Sequence, residues 1–183
     1  MHKTTTIVLG FIVLVAVLGC QGRTDKSDSG VILSVSDFDE LPLASLVNPP
    51  GGGFLQVGSI TIDNIPKNPN AATSSLMNVE MRSYEVVYSW VDAGTRVPTP
   101  FVRSIFGVAP VNGTVVYKNM AVAGSEQFNN SPLSDLLFQN GGFDTETGNQ
   151  VIILKLTMRF FGRTLTGEDV ATEPFRFDVE FSP

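Results

Sequence analysis

One cysteine, one histidine and one tryptophan occur in 183 residues, and each scarcity excludes something. The histidine is His2 and the cysteine is Cys20, so everything beyond Cys20 lacks imidazole and thiol. That removes Ser-His-Asp and Cys-His nucleophile systems from the body of the chain. It also removes zinc sites built from His and Cys, and haem held by either residue. A lone cysteine closes no intramolecular disulfide, so packing alone must hold the fold. No GxxxxGK[ST] or GxGxxG phosphate loop is present, and no cofactor is expected. Carboxylates, Lys, Tyr and Ser are the catalytic groups that survive this filter.

Acidic residues are also scarce where the chain begins. None precedes Cys20, and Lys3 opens an apolar run from Ile7 to Gly19. Thirteen residues are too few for a membrane-spanning helix, which needs about 20. They fit the hydrophobic region of a secretory signal. The run closes on Val17-Leu18-Gly19-Cys20. This resembles the lipobox of bacterial lipoproteins. The resemblance implies removal of residues 1–19 as a signal peptide and acylation of Cys20, with palmitate-type chains holding the protein at a membrane. Two or more chains anchor a protein stably where one does not. In that family Asp after the cysteine favours the inner membrane. Gln21 stands there, which points to the outer membrane if the envelope has two, and to a cell-envelope location in either case.

The remainder carries eleven basic against eighteen acidic side chains. That balance argues against nucleic-acid partners and against binding anionic lipid by charge. Residues 20–30 comprise the lipidated Cys20 and a polar, small-residue tether. Residues 31–183 are read as one domain.

Within that domain, helical periodicity is almost missing and period-two alternation is abundant. Strands are expected over Val31–Asp37, Phe54–Ile65, Asn78–Val91, Phe101–Val108, Thr114–Val122, Val151–Phe161 and Phe175–Phe181. The phase change at Gly58 predicts a bulge. Three prolines and three glycines predict an irregular loop over Leu41–Gly53. Asn112-Gly113 marks a hairpin turn. Ser131 and Pro132 predict the N-cap and first position of one short loop helix. The expected fold is all-β: a single sandwich of about seven strands with one short helix in a loop. Its last two strands form a hairpin, which resembles immunoglobulin-like or fibronectin-III-like domains.

Three constellations are candidate sites. Tyr84, Tyr88 and Trp90 alternate on one strand face, as a core row or as a stacking platform for a sugar or small ligand. Arg163 sits in the last hairpin loop with Glu168 and Asp169, as a ligand-binding cation or as a partner for local carbonyls and acids. Asp144 and Glu146, two residues apart before Gly148, open like a calcium loop whose distal bidentate Glu is absent. A carboxylate hydrolase would need Asp144, Glu146, Glu168 and Asp169 to converge across one cleft.

The reading that best fits anchor, fold and missing chemistry is a non-enzymatic envelope lipoprotein. It would serve as a structural or protein-interaction module with a protein partner in the envelope. A carbohydrate- or small-ligand-binding module is the alternative, and a carboxylate hydrolase the third. The leader generates a direct prediction. Mass spectrometry of the mature protein is expected to find Cys20 as the N-terminal residue with an acylated sulfur.

Overall fold

The alternation along the sequence becomes strand over most of its length. The computed structural model describes residues 29–47, 53–91 and 94–183. The leader, Cys20 and the tether up to residue 28 lie outside the described residues. In chain order the strands are β1 (Val31–Asp39), β2 (Ala44–Leu46), β3 (Leu55–Pro66), β4 (Val79–Trp90), β5 (Phe101–Ala109) and β6 (Gly113–Ala123). A four-residue helix α1 (Ser125–Phe128) precedes β7 (Ile152–Thr164), β8 (Asp169–Ala171) and β9 (Phe175–Ser182). Among the described residues no helix is long and apolar enough to cross a membrane.

Two sheets pack as a β-sandwich. One has the order β1-β3-β6; the other has the order β2-β9-β7-β4-β5, with β8 also beside β7. The inward rows are those the alternation marks. Ile152, Leu154, Leu156, Met158 and Phe160 of β7 are fully buried, as are Val179 and Phe181 of β9. Ile60 and Ile62 of β3 face them from the other sheet. The strands run between two ends of the sandwich. The exit end holds the start of β1, the β5–β6 turn and the β7–β8 hairpin. The loop end holds the segments between β4 and β5 and between β6 and β7.

Apolar contact is non-directional, so something else must fix how the sheets sit on each other. Two tyrosines of β4 do this. The Tyr84 hydroxyl donates to Ala121 O at 2.7 Å and the Tyr88 hydroxyl to Val122 O at 2.5 Å. Each spans from the larger sheet to β6 in the smaller one. Both side chains are buried, and burial pushes both phenols up, Tyr84 to about 12.

Several expectations change in three dimensions. The register of β3 on β6 runs unbroken past Gly58, and the irregularity falls at Leu55/Gln56. Gly58 is small for a different reason: a Cβ there would meet Glu40 Cβ at 2.7 Å. The Leu41–Gly53 segment is not wholly irregular. β2 forms between Pro42 and the Pro49-Pro50 pair and runs parallel to β9, and Val47 is buried. The Asn112-Gly113 turn forms with Asn112 at φ 56, but it carries the chain from one sheet to the other. Ser131 is not an N-cap. The helix α1 begins earlier, after Gly124, and Leu133–Leu136 is a 3-10 turn preceded by Pro132. Ser29 and Gly30, read as tether, belong to the domain: Ser29 is buried and Gly30 O accepts from Lys67 N at 2.9 Å.

The β7–β8 hairpin is also more structured than a polar loop. Between the Phe161–Ala171 and Met158–Phe175 pairs, three steps along β7 face four along the other chain. Thr172 fills the slip. Its backbone N donates to Phe160 O at 3.0 Å, its Oγ1 accepts from Phe160 N at 3.1 Å, and it bridges to Leu33 in the other sheet. Pro174 follows, where a strand could use no N–H.

Tyr88→Phe is expected to cost about 1–2 kcal/mol, because Val122 O loses its donor inside the core. Tyr84→Phe acts in the same direction. Urea unfolding of each variant measures the loss as a lower midpoint.

Candidate functional site: the loop cluster around Arg96

Arg96 lies on the segment between β4 and β5, at the loop end. Its Nη2 donates to Asp135 Oδ2 at 3.1 Å, to Asp144 Oδ1 at 2.9 Å and to Thr145 Oγ1 at 2.7 Å. Its Nε lies 3.7 Å from Glu146 Oε2. One guanidinium thereby joins its own segment to two others that lie about 40–50 residues further along the chain. Planar donors in a fixed fork suit this role, where a lysine would offer a point charge.

Each acid is held further by its own loop. Asp144 is fully buried, and its Oδ2 accepts from Thr147 N and Thr147 Oγ1, both at 2.7 Å. Asp135 Oδ2 also accepts from Ser131 Oγ at 3.0 Å and Thr145 Oγ1 at 2.7 Å. Burial opposes ionisation of Asp135, but the bonds from Thr145 and Ser131 and the Arg96 charge outweigh it and hold the carboxyl low. Glu146 accepts from Thr95 N at 2.9 Å, Thr95 Oγ1 at 2.5 Å and Arg96 N at 3.0 Å. Those Thr95 bonds, then the Arg96 amide, pull its carboxyl down to about 2.

The structure brings Asp144 and Glu146 together, but around a cation of the protein's own. The two carboxylates of the expected calcium loop are each engaged by the protein's own donors, Asp144 by Arg96 and Thr147, Glu146 by Thr95 and the Arg96 amide. Among the described residues no group of three or more His, Cys, Asp or Glu could hold a metal ion.

The aromatic row divides. Tyr84 and Tyr88 lie in the core with their hydroxyls occupied, so neither offers a ring face as a stacking platform. Trp90 is half-buried at the loop end. Its Nε1 donates to Arg96 O, and Gly94 covers the indole so closely that an added Cβ would lie 2.3 Å from Cδ2. Arg163 binds locally: its Nε donates to Gly167 O at 2.6 Å and lies 3.5 Å from Asp169 Oδ1. The four acids of the hydrolase reading do not share a cleft. Asp144 and Glu146 precede β7, Glu168 and Asp169 follow it, and a strand of 13 residues separates them by about 40 Å.

Two aromatics that sequence reading passed over stand on this cluster. Phe138 is 86% exposed and Phe143 is 44% exposed. Between them Gly141 and Gly142 take φ 118 and 76, values that favour glycine, and their amides bond Phe138 O and Leu137 O. An added Cβ on Gly141 would come within 3.2 Å of the Phe143 ring. The Asn140-Gly141-Gly142 turn flanked by phenylalanines is the signal that sequence did contain. Arg96 left none, since its partners are remote.

These features define an all-β sandwich with an ion-paired loop cluster at one end. Compared with known families, curated proteins and solved structures, the chain matches none.

Arg96→Ala strips Asp144 of its cation while leaving the carboxylate buried. Full loss of a buried pair costs about 3–5 kcal/mol, and the partial exposure of Arg96 brings the expected figure down to about 2 kcal/mol by chemical denaturation. Acid has a related effect. Glu146 is depressed in the folded state, so its contribution is present above its ordinary value of 4.5 and is lost as pH falls toward about 2. Trp90 emission, reporting through its bond to Arg96 O, is expected to hold steady above that window and to change within it.

Proposed function

We propose that the protein is a lipid-anchored module of the cell envelope that presents its loop end to a protein partner. The observation that carries this is polarity of the fold. The chain enters the domain at Ser29, at one end of the sandwich, and the Arg96 cluster with Phe138 and Phe143 occupies the other. A tether at the exit end would leave the loop end outermost. Ordered loops that hold exposed aromatics favour a protein surface as partner, since rigid aromatic anchors bind at low entropic cost.

An immunoglobulin-like arrangement is part of this reading. Of the seven long strands, the first, second and fifth make one sheet, and the third, fourth, sixth and seventh make the other. In a constant-type immunoglobulin domain the fourth strand lies with the first, second and fifth. Here it lies beside the third. Such domains commonly bind through the loops at one end.

A non-enzymatic role is supported by the engaged state of the candidate acids. Asp135, Asp144 and Glu146 are committed to Arg96 and its neighbours, and Glu168 and Asp169 lie at the far end of β7.

Photo-crosslinking in intact cells tests the proposal. A benzophenone amino acid at Phe138 or Phe143 is expected to give an adduct of discrete mass, and Lys118, on the outer face of β6, is expected to give none. Adducts at Lys118 alone, or at no position, would sink the loop-end assignment.

A further inference from the structure

The exit end carries an apolar rim that the fold does not use. Leu76, Leu165, Ile65, Ile32 and Val108 are each between 45% and 54% exposed. Ile32 and Ile65 project from the outer face of the smaller sheet and Val108 from that of the larger, while Leu76 and Leu165 stand on turns that hydrogen bonds tie together. Leu165 N donates to Asn78 O at 3.1 Å, which seats the β7–β8 hairpin against the 3-10 turn Ser75–Met77 that bears Leu76. Asn78 Oδ1 accepts from Val111 N at 2.9 Å, drawing in the β5–β6 turn. The buried Asn64 donates through Nδ2 to both Met77 O at 3.0 Å and Ala109 O at 2.9 Å. Ile65 and Val108 are the immediate neighbours of these bonded residues, and Ile32 pairs with Ile65 across β1 and β3.

The described chain enters the domain at this same end, beside Lys67 and Met77. Gly30 O accepts from Lys67 N, and Gly30 packs on Met77, 3.5 Å from its Cε to a Cβ position. Only eight residues lie between Cys20 and Ser29, nine steps along the chain. Fully extended they reach about 30 Å, and as a flexible coil about half that.

We propose that the exit end is a lipid-docking face, and that Leu76 and Leu165 dip into the boundary between headgroups and acyl chains when Cys20 is acylated. This rests on the lipoprotein reading. A tether this short keeps the rim at the bilayer surface at a high effective concentration, so weak apolar contact suffices to seat the domain. Charge does not drive the contact, because Asp63, Glu168 and Asp169 lie at the same end as Arg163 and Lys67. Docking orients the sandwich upright and holds Phe138 away from the membrane.

The test uses the full lipidated chain in vesicles of phosphatidylethanolamine and phosphatidylglycerol. Acylation occupies the Cys20 sulfur, so Leu76→Cys, Leu165→Cys and Phe138→Cys variants each take one NBD label at the new thiol. Spin-labelled acyl chains in the vesicle are expected to quench the labels at 76 and 165 several-fold more than the label at 138. A Leu76→Asp/Leu165→Asp variant labelled through Ile65→Cys is expected to lose its quenching, with unchanged Trp90 emission verifying the fold. Equal quenching at 76, 165 and 138 on protein whose Cys20 is acylated overturns the docking face and leaves the lipoprotein reading intact. Retained quenching in the double variant also overturns it. An unmodified Cys20 sulfur by mass spectrometry overturns both.

Discussion

The hydroxyls of Tyr84 and Tyr88 set the relation of the two sheets, and the rest of the architecture hangs on that relation. Buried apolar faces tolerate sliding, because burial rewards area and not register. A phenol that must find an acceptor in a dry core tolerates very little. The two tyrosines reach across from β4 to consecutive carbonyls near the end of β6. The chain then turns at once into Gly124 and α1, so the pins also fix where the loop end begins. Gln127 continues the tie, accepting from Gly124 N and donating to Thr99 O.

Beyond that point the organisation changes from apolar to ionic. The loops of the loop end bury Phe128, Leu133 and Leu136 in the core, but no disulfide can staple their outer parts. Arg96 supplies the missing crosslink. Its guanidinium satisfies a fully buried carboxylate, and threonine hydroxyls on both sides saturate the remaining oxygens. Removing one member leaves the others charged and unpaired, which is why such clusters act as units. The exit end is tied by amides instead, with Asn64 and Asn78 gathering three turns. The two ends of the sandwich therefore differ in chemistry, one gathered by an ion-paired arginine and bearing exposed aromatics, the other gathered by amides and bearing exposed aliphatics beside charges of both signs.

Much of the fold was legible because period-two alternation is a local signal. Seven strands follow from the residues themselves, and so do the clearest inward rows, as in Ile152 to Phe160 and Phe175 to Phe181. What escaped depended on partners far along the chain. β2 is three residues whose only reason to extend is the parallel edge of β9, and β8 exists because Thr172 can replace a backbone acceptor. Asn112-Gly113 announces a turn, but not that its two arms belong to different sheets. In the candidate site, Asp144 and Glu146 were visible as a pair, whereas the cation that claims them was not. Arg96 sits in an irregular segment, and its meaning comes from segments about 40–50 residues away.

The sequence by itself determined the absence of imidazole and thiol chemistry beyond Cys20, the all-β class, and the inward rows of β4, β7 and β9. Those follow from composition and from the two-residue repeat of a strand, which needs no knowledge of neighbours. Only the tertiary structure decided which sheet each strand joins, that Tyr84 and Tyr88 are pins and not a platform, and that an arginine fills the acidic loop. Hydrogen bonds and ion pairs between remote segments are set by where the folded backbone delivers them, and spacing along the chain carries no record of that distance.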